Sequence, residues 1–222
     1  YKYKCKCNIM DGNNAIDYIL SNDIDGDLVE CGIDTARQQL IWITSLQKRN
    51  EKRHIHMFDT FSGMSKPTEN DYLSPEYDGN DCMKKTFPDN TSLLEYWKQN
   101  RINDETNKWC YTPLDEVQRK LNLTGYDSNY LHYIRGDVLE TLKQEINIPT
   151  KISMLRLDTD WYESTKMELE VLFKNVSTGG VVVFDDYYLW NGQKKAVDDY
   201  LKQNDLLYDI KPVDKQTAYF IK

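Results

Sequence analysis

Short apolar runs that end abruptly in polar residues recur along this chain. They cover residues 28–32, 55–59, 130–134, 152–158 and 179–186. Such runs are typical of parallel strands that are buried on both faces of a sheet. Between them, apolar residues at helical spacing predict helices over residues 14–20, 137–146, 162–176 and 191–203, and others through Leu40, Ile43 and Leu46 and from Thr112 to about Leu121. The pattern therefore alternates strand and helix.

The C-terminal pattern differs from the rest. Two strand-like stretches, 208–213 and 217–221, are separated only by Asp214-Lys215-Gln216. Three residues can close a hairpin but cannot form a crossover between parallel strands. The sequence therefore predicts an α/β fold with a doubly wound, Rossmann-like sheet that is mostly parallel and has one antiparallel strand at its end.

Residues 60–112 break the alternation. This stretch is rich in Pro, Asn, Asp, Gly, Tyr and Trp, and only residues 92–98 have a helical pattern. A long irregular segment inside a compact domain is usually functional, for example as a lid or a binding insertion. We therefore interpret residues 1–222 as one domain, with a lead-in over about 1–26 and a binding insertion over about 60–112.

Composition and charge exclude several classes of protein. The 222 residues carry a formal net charge of −8, which argues against a nucleic-acid partner, since such partners require clustered Lys and Arg. No run of 18 apolar residues and no leader pattern is present, so we expect neither a membrane span nor a signal peptide, and an intracellular protein. Five cysteines, an odd number, suit a reducing compartment. Cys5-Lys6-Cys7 lacks a second ligand pair, which argues against zinc.

Two neighbouring strands end in paired carboxylates. Asp158 and Asp160 follow one run, and Asp185 and Asp186 follow the next. Four acids at one sheet edge would repel one another unless a cation or strong hydrogen-bond donors lay among them. Mg²⁺ suits an all-oxygen group of this kind. Alternatively, individual aspartates cap the helices that follow, and Asp185 and Asp186, being adjacent, diverge unless a turn aims both at one site.

A second constellation lies at the first two strand ends. Gly32 would let a ligand approach the backbone next to a helix N-terminus, and Asp59 is placed to accept hydrogen bonds from ribose hydroxyls. Together they indicate an adenosine-type cofactor. A strand-ending Asp also often only caps the next helix, so this alternative stays open.

Four blocks of this chain resemble the macrocin O-methyltransferase family. They are Asp-Leu-Val-Glu-Cys-Gly at 27–32, Met-Phe-Asp-Thr-Phe-Ser-Gly-Met at 57–64, Leu-Arg-Leu-Asp-Thr-Asp-Trp-Tyr-Glu-Ser-Thr at 155–165 and Gly-Gly-Val-Val-Val-Phe-Asp-Asp-Tyr at 179–187. The resemblance runs in order from about Gly26 to the C-terminus. It implies a class I methyltransferase fold and an S-adenosyl-L-methionine- and Mg²⁺-dependent enzyme that methylates sugar hydroxyls.

The resemblance also implies roles for individual residues. Asp160 would be the general base, and Asp158, Asp185 and Asp186 would bind Mg²⁺. The cofactor would be held by Glu30, Gly32, Thr35, Arg37, Asp59, Phe61, Gly136, Asp137 and Asp158, with Gly136 and Asp137 near the adenine. The acceptor would be a small-molecule or glycan sugar, and the sequence leaves open a homo-oligomer or a piece of a larger glycan-modifying protein.

Arg37 departs from the family pattern, which usually has a Gly-Gly pair near this point. Its guanidinium could bind the cofactor carboxylate or obstruct the site. Arg37 therefore leaves open a scaffold that keeps the fold without turnover. A separate alternative is Mg²⁺-dependent methylation of a non-sugar hydroxyl such as that of a catechol.

Aromatic side chains are the candidates for sugar binding. Those of the insertion either stack on sugar rings or form a small core of their own. Trp161 and Trp190 flank the acidic pairs, so we expect both to line the acceptor site.

Overall fold

A seven-stranded sheet forms the centre of the computed structural model, which describes residues 12–222. The strands are β1 Asp27–Cys31, β2 Ile55–Asp59, β3 Leu131–Arg135, β4 Ile152–Leu157, β5 Val176–Phe184, β6 Lys211–Pro212 and β7 Ala218–Ile221, in the spatial order β3-β2-β1-β4-β5-β7-β6. The first five are parallel, whereas β7 is antiparallel to both of its neighbours. This confirms the predicted doubly wound sheet with one antiparallel strand. Cys5 and Cys7 lie outside the described residues.

Helices cover both faces of the sheet, because successive strand residues point to opposite sides. On β1, Leu28 packs with one face and Val29 with the other. The first face carries α1 Gly12–Ser21, α2 Arg37–Lys48 and α5 Leu114–Asn122. The second carries α6 Val138–Thr141, α7 Tyr162–Leu172 and α8 Asn191–Gln203.

Several element boundaries differ from the prediction. Helix α6 ends at Thr141 rather than near 146, and α7 ends at Leu172, where a 3-10 turn over Phe173–Asn175 takes over. Strand β5 begins at Val176, which pairs with Ile152 before the register shifts. Strand β6 has only two residues. Because these limits depend on pairing with distant segments, periodicity alone does not locate them.

The insertion contains α3 Asp81–Thr86 and α4 Asn90–Gln99 and packs around its own aromatic cluster. Trp161 and Trp190 are each only 2% exposed and belong to this cluster, together with Phe87 and Trp109. Trp161 Nε1 also donates to the carbonyl of Ser65 at 2.9 Å. The expectation that these two tryptophans line the acceptor site is therefore wrong, since burying their apolar rings joins the insertion to the sheet.

Within residues 12–222, none of the helices combines the length and the apolar character needed to cross a membrane.

Candidate functional site

Three aspartates from two strand ends meet at one edge of the sheet. Asp158, Asp160 and Asp186 each offer a carboxylate oxygen, and these oxygens lie within 4.8 Å of one another. Asp160 reaches the group because its backbone is left-handed, with φ of 67°. The turn around it is closed by the Trp161 amide, which donates to the carbonyl of Thr159 at 2.8 Å. Asp158 and Asp160 therefore meet as predicted, although through a turn and not through extended backbone.

A buried glutamine positions Asp186. The Asp186 amide donates to Gln193 Oε1 at 2.8 Å, and Gln193 Nε2 donates to the carbonyl of Leu157 at 3.1 Å. Gln193 lies in α8 and is fully buried. Its amide group thereby links the ends of β4 and β5. Sequence analysis missed it, because a polar residue in the first turn of an amphipathic helix is usually exposed.

Arg156 supplies the positive charge that the acidic edge requires. Its guanidinium contacts Asp185 Oδ1 and Asp158 Oδ2, each at 2.5 Å, and also pairs with Glu30. The side chain is only 12% exposed. The Asp185 carboxylate thus forms an ion pair with the guanidinium and points away from Asp186. Its role as a metal ligand stays a prediction. A lone charge inside an otherwise apolar strand was the signal that could have identified Arg156, since buried charges are almost always paired.

The electrostatics of the three-aspartate group favour protonation. Burial, with the nearby charges of Asp158 and Asp185, raises the pKa of Asp160 to about 8 against an opposing hydrogen bond with Asp186. Burial and the neighbouring acids also raise the pKa of Asp158 and of Asp186 well above the usual range. A divalent cation would reverse this preference by stabilising the carboxylates. Because all three donors are hard oxygen atoms, the group fits Mg²⁺.

A cavity of about 290 Å³ opens beside these carboxylates. The predicted residues that line it are Gly32, Asp59, Gly136, Asp137, Asp158, Asp160, Asp185 and Asp186. Met64, Ser65 and Cys110 from the insertion also line it, and sequence analysis did not single them out. The cavity therefore joins the predicted nucleoside end to the acidic group.

The remaining predicted cofactor residues lie elsewhere. Glu30, Thr35 and Arg37 line a second cavity, of about 390 Å³, on the α2 face of the sheet, and Asp158 and Asp185 border both cavities. Phe61 is buried in the core on the α2 face and lines neither of these two cavities. Its predicted contact with the cofactor is untested.

Asp59 ties the first two strand ends together. Its Oδ2 accepts the Ile33 amide and its Oδ1 accepts the Phe61 amide, both at 2.6 Å. Each carboxylate oxygen has a further lone pair, so these bonds leave acceptor capacity for a ligand. Asp59 lines the first cavity and is partly exposed there. Its predicted ribose contact therefore remains sterically open.

Gly32 is required by the protein itself. Its φ is 86°, and a Cβ atom there would lie 2.0 Å from the carbonyl oxygen of Asp158. The glycine therefore lets β4 deliver Asp158 close to β1, in addition to any approach by a ligand.

The loop before α2 takes an unusual conformation. Ala36 precedes the helix with φ of 62°, a left-handed conformation that a glycine adopts at lower cost. Arg37 is the first helical residue, is exposed, and borders the second cavity and not the first. Arg37 therefore does not close the cavity that contains the three-aspartate group.

The profile of the Macrocin-O-methyltransferase (TylF) family matches residues 7–88 and 85–222. The chain belongs to this family. At the level of the family, the predicted resemblance and the prediction of an S-adenosylmethionine-dependent O-methyltransferase are confirmed.

Two O-methyltransferases from Streptomyces are similar in sequence to this member of the macrocin O-methyltransferase family. It is 26% identical to demethyldecarbamoylnovobiocin O-methyltransferase of Streptomyces niveus, over 93% of this chain and 70% of that protein. It is 25% identical to 8-demethyl-8-(2,3-dimethoxy-alpha-L-rhamnosyl)-tetracenomycin-C 4'-O-methyltransferase of Streptomyces olivaceus, over 84% of this chain and 62% of that protein. The chain thus spans about two thirds of the length of these two relatives.

Solved structures support the same fold. The O-methyltransferase NovP aligns with a TM-score of 0.75 at 24% identity, over 95% of this chain and 77% of NovP. The calicheamicin methyltransferase CalS11 aligns with a TM-score of 0.63 at 20% identity, over 94% of this chain and 77% of CalS11. Both likenesses support the class I methyltransferase sheet.

Proposed function

We propose that this protein transfers a methyl group from S-adenosyl-L-methionine to a sugar hydroxyl, with Mg²⁺ and an aspartate base. The observation that carries the proposal is the position of the three-aspartate group, which lies in the same cavity as Asp59 and Gly136. The proposed cofactor site and the proposed acceptor site are thus adjacent. This adjacency is what a direct transfer requires, because the reacting atoms must be aligned within one enclosure.

Each end of the cavity has a proposed task. Asp59, Gly136 and Asp137 hold the adenosine part of the cofactor, and Gly32 gives its methionine part access to the backbone. The bound cofactor supplies an electrophilic methyl group on a sulfonium. Glu30, Thr35 and Arg37 border the neighbouring cavity on the α2 face, where an amino-acid carboxylate finds the guanidinium of Arg37.

Asp160 is the proposed general base. Its carboxyl group lies in the three-aspartate group that lines the cavity, and a divalent cation beside it would keep it deprotonated, as a base must be. Asp158 and Asp186 would hold Mg²⁺ with Asp160 beside them, and Asp185 would join them on leaving Arg156. The metal ion would supply Lewis-acid stabilisation of the acceptor oxygen.

A sugar acceptor is favoured by the relatives. The Streptomyces olivaceus relative is named for a rhamnosyl group, and CalS11 is named as a TDP-rhamnose 3'-O-methyltransferase. Thr60 and Ser65 line the cavity, where the Ser65 hydroxyl can donate or accept a hydrogen bond and the Thr60 hydroxyl, which already donates to the carbonyl of Gly63 at 2.8 Å, can accept one. The aromatic rings of the insertion are largely occupied in its own core, so we assign sugar recognition to these polar groups.

The decisive experiment combines binding with turnover. S-adenosylmethionine is titrated calorimetrically with and without Mg²⁺, and a panel of sugars, nucleotide sugars and catechols is then screened for formation of the demethylated cofactor. We expect transfer to a sugar that is lost with EDTA, lost in Asp160→Asn and Asp186→Asn, and kept in Asp209→Asn, an exposed control. Transfer only to catechols would overturn the sugar assignment, and cofactor binding without any turnover would favour a scaffold.

A further inference from the structure

Thr159, the residue between two aspartates of the acidic group, is held through both its backbone and its side chain. Its carbonyl accepts the Trp161 amide at 2.8 Å. Its Oγ1 donates to Oε1 of Glu168 at 2.9 Å. The second bond joins the turn to α7, about two helical turns after the start of that helix.

Glu168 is an unusual residue for its position. It is completely buried in α7, next to the thiol of Cys31 on β1. Burial raises the pKa of its carboxyl to about 8, so the group is a neutral acid at neutral pH. Its second oxygen, Oε2, has no hydrogen-bond partner among the described residues, which costs less for a neutral carboxyl than for a carboxylate. An apolar side chain would be the simpler occupant of this site.

The turn that Glu168 contacts needs support. Asp160 has φ of 67°, and a non-glycine residue in the left-handed region is strained, although aspartate less than most. Such strain persists only where the surroundings over-determine the conformation. The bond between Thr159 and Glu168 is one such constraint, and it acts on the residue that directly precedes Asp160.

We propose that Glu168 is a positioning residue that, through Thr159, orients Asp158 and Asp160 toward the same cavity. Glu168 lines neither of the two cavities, and its task is to accept one hydrogen bond. A hydrogen-bond acceptor is required at this position, and a negative charge is not. As far as catalysis is concerned, this inference rests on the proposed function.

Four variants separate hydrogen bonding from charge and from volume. Glu168→Gln keeps the acceptor without the acid, whereas Glu168→Leu keeps much of the volume without the acceptor. Thr159→Val removes the donor at constant shape, whereas Thr159→Ser keeps it. Glu170→Leu changes an exposed residue of the same helix and serves as the control.

Kinetics give the first readout. We expect Glu168→Leu and Thr159→Val to lower kcat by about 10- to 100-fold, since a misplacement of about 1 Å has effects of this size. The KM for S-adenosylmethionine should change less than about twofold, because the adenosine end of the cavity is untouched. Glu168→Gln, Thr159→Ser and Glu170→Leu should retain kcat. The double variant Thr159→Val with Glu168→Leu should be no worse than either single variant.

Hydrogen exchange gives a readout independent of turnover. Amides of residues 158–162 should exchange at least about tenfold faster in Glu168→Leu and Thr159→Val, but not in Glu168→Gln, at unchanged exchange elsewhere. If the wild-type protein transfers no methyl group, the proposed function fails while exchange still tests the positioning. If Glu168→Leu and Thr159→Val have the same kcat and the same exchange rates as the wild-type protein, the inference is wrong. An equal loss of kcat in Glu168→Gln and Glu168→Leu would also show that it is wrong. If Glu168→Leu does not fold, the comparison of Thr159→Val with Glu168→Gln tests the inference instead.

Discussion

Asp71 of the insertion caps a helix that begins 91 residues later. Its Oδ1 accepts the backbone amide of Tyr162, the first residue of α7, at 2.8 Å. Its Oδ2 accepts the amide of Thr68 at 2.6 Å and the hydroxyl of the same residue at 2.8 Å. Trp161, at the N-cap position, provides no side-chain cap. The carboxyl group of Asp71 therefore links the insertion to the helix that follows the turn at Asp160.

Asp71→Ala should destabilise the protein by about 2–4 kcal/mol, because it removes a buried acceptor and leaves the partly buried amides of Tyr162 and Thr68 unpaired. The matched control is Asp89→Ala, which removes the exposed cap of α4 and should cost about 1 kcal/mol. Urea unfolding of both variants measures the difference. Equal losses in the free energy of unfolding would show that the cap by Asp71 stabilises the protein no more than the exposed cap by Asp89.

Gly192→Ala should also destabilise, although alanine favours helices. A Cβ atom at this position in α8 would lie 1.9 Å from Asp71 Oδ1. The aspartate would have to move away from Tyr162, so we expect a loss of about 2–3 kcal/mol by the same unfolding measurement. Gly125→Ala is the comparison, because its left-handed φ of 68° is strained but no atom lies within 4 Å, and its loss should stay near 1 kcal/mol.

Arg156→Met should cost about 3–5 kcal/mol, because it leaves Glu30, Asp158 and Asp185 without their shared counter-charge. Removing the guanidinium raises the pKa of Glu30 and of Asp158 in the folded state, so the loss should shrink as the pH falls and these two carboxyls become protonated. Thermal unfolding from pH 5 to 8 checks both statements. Arg135→Met, at an exposed arginine, should change stability by less than about 0.5 kcal/mol at any of these pH values.

Glu168→Gln should become stabilising as the pH rises. Burial raises the pKa of Glu168 from 4.5 to about 8, so the unfolded chain releases this proton first and wild-type stability falls between these two values. Because glutamine does not titrate, the stability of the variant does not fall in this way. The variant should therefore gain about 3–5 kcal/mol over wild type between pH 5 and pH 8 in urea unfolding. Parallel pH dependences of the two proteins would contradict a neutral, buried carboxyl.

Much of the architecture could be predicted from local pattern. Apolar runs ending in Asp59, Asp158 and Asp185-Asp186 identified strands whose carboxyl ends share one edge, because a buried parallel strand must be apolar along its length and polar where it leaves the core. That rule placed Asp158, Asp160 and Asp186 together. It also predicted the closing hairpin, whose short connection excludes a crossover.

The sequence by itself determined the family, the order of strands and helices, and the edge at which the acids gather, because those features depend on residues close together in the chain. Only the tertiary structure decided which groups face those acids. Arg156 meets Glu30 across 126 positions, and Asp71 meets Tyr162 across 91. Trp161 and Trp190 were assigned to the acceptor site by proximity in sequence, but burial of their rings against the insertion placed them in its core. Such pairings follow from chain segments packing together, and no local spacing encodes them.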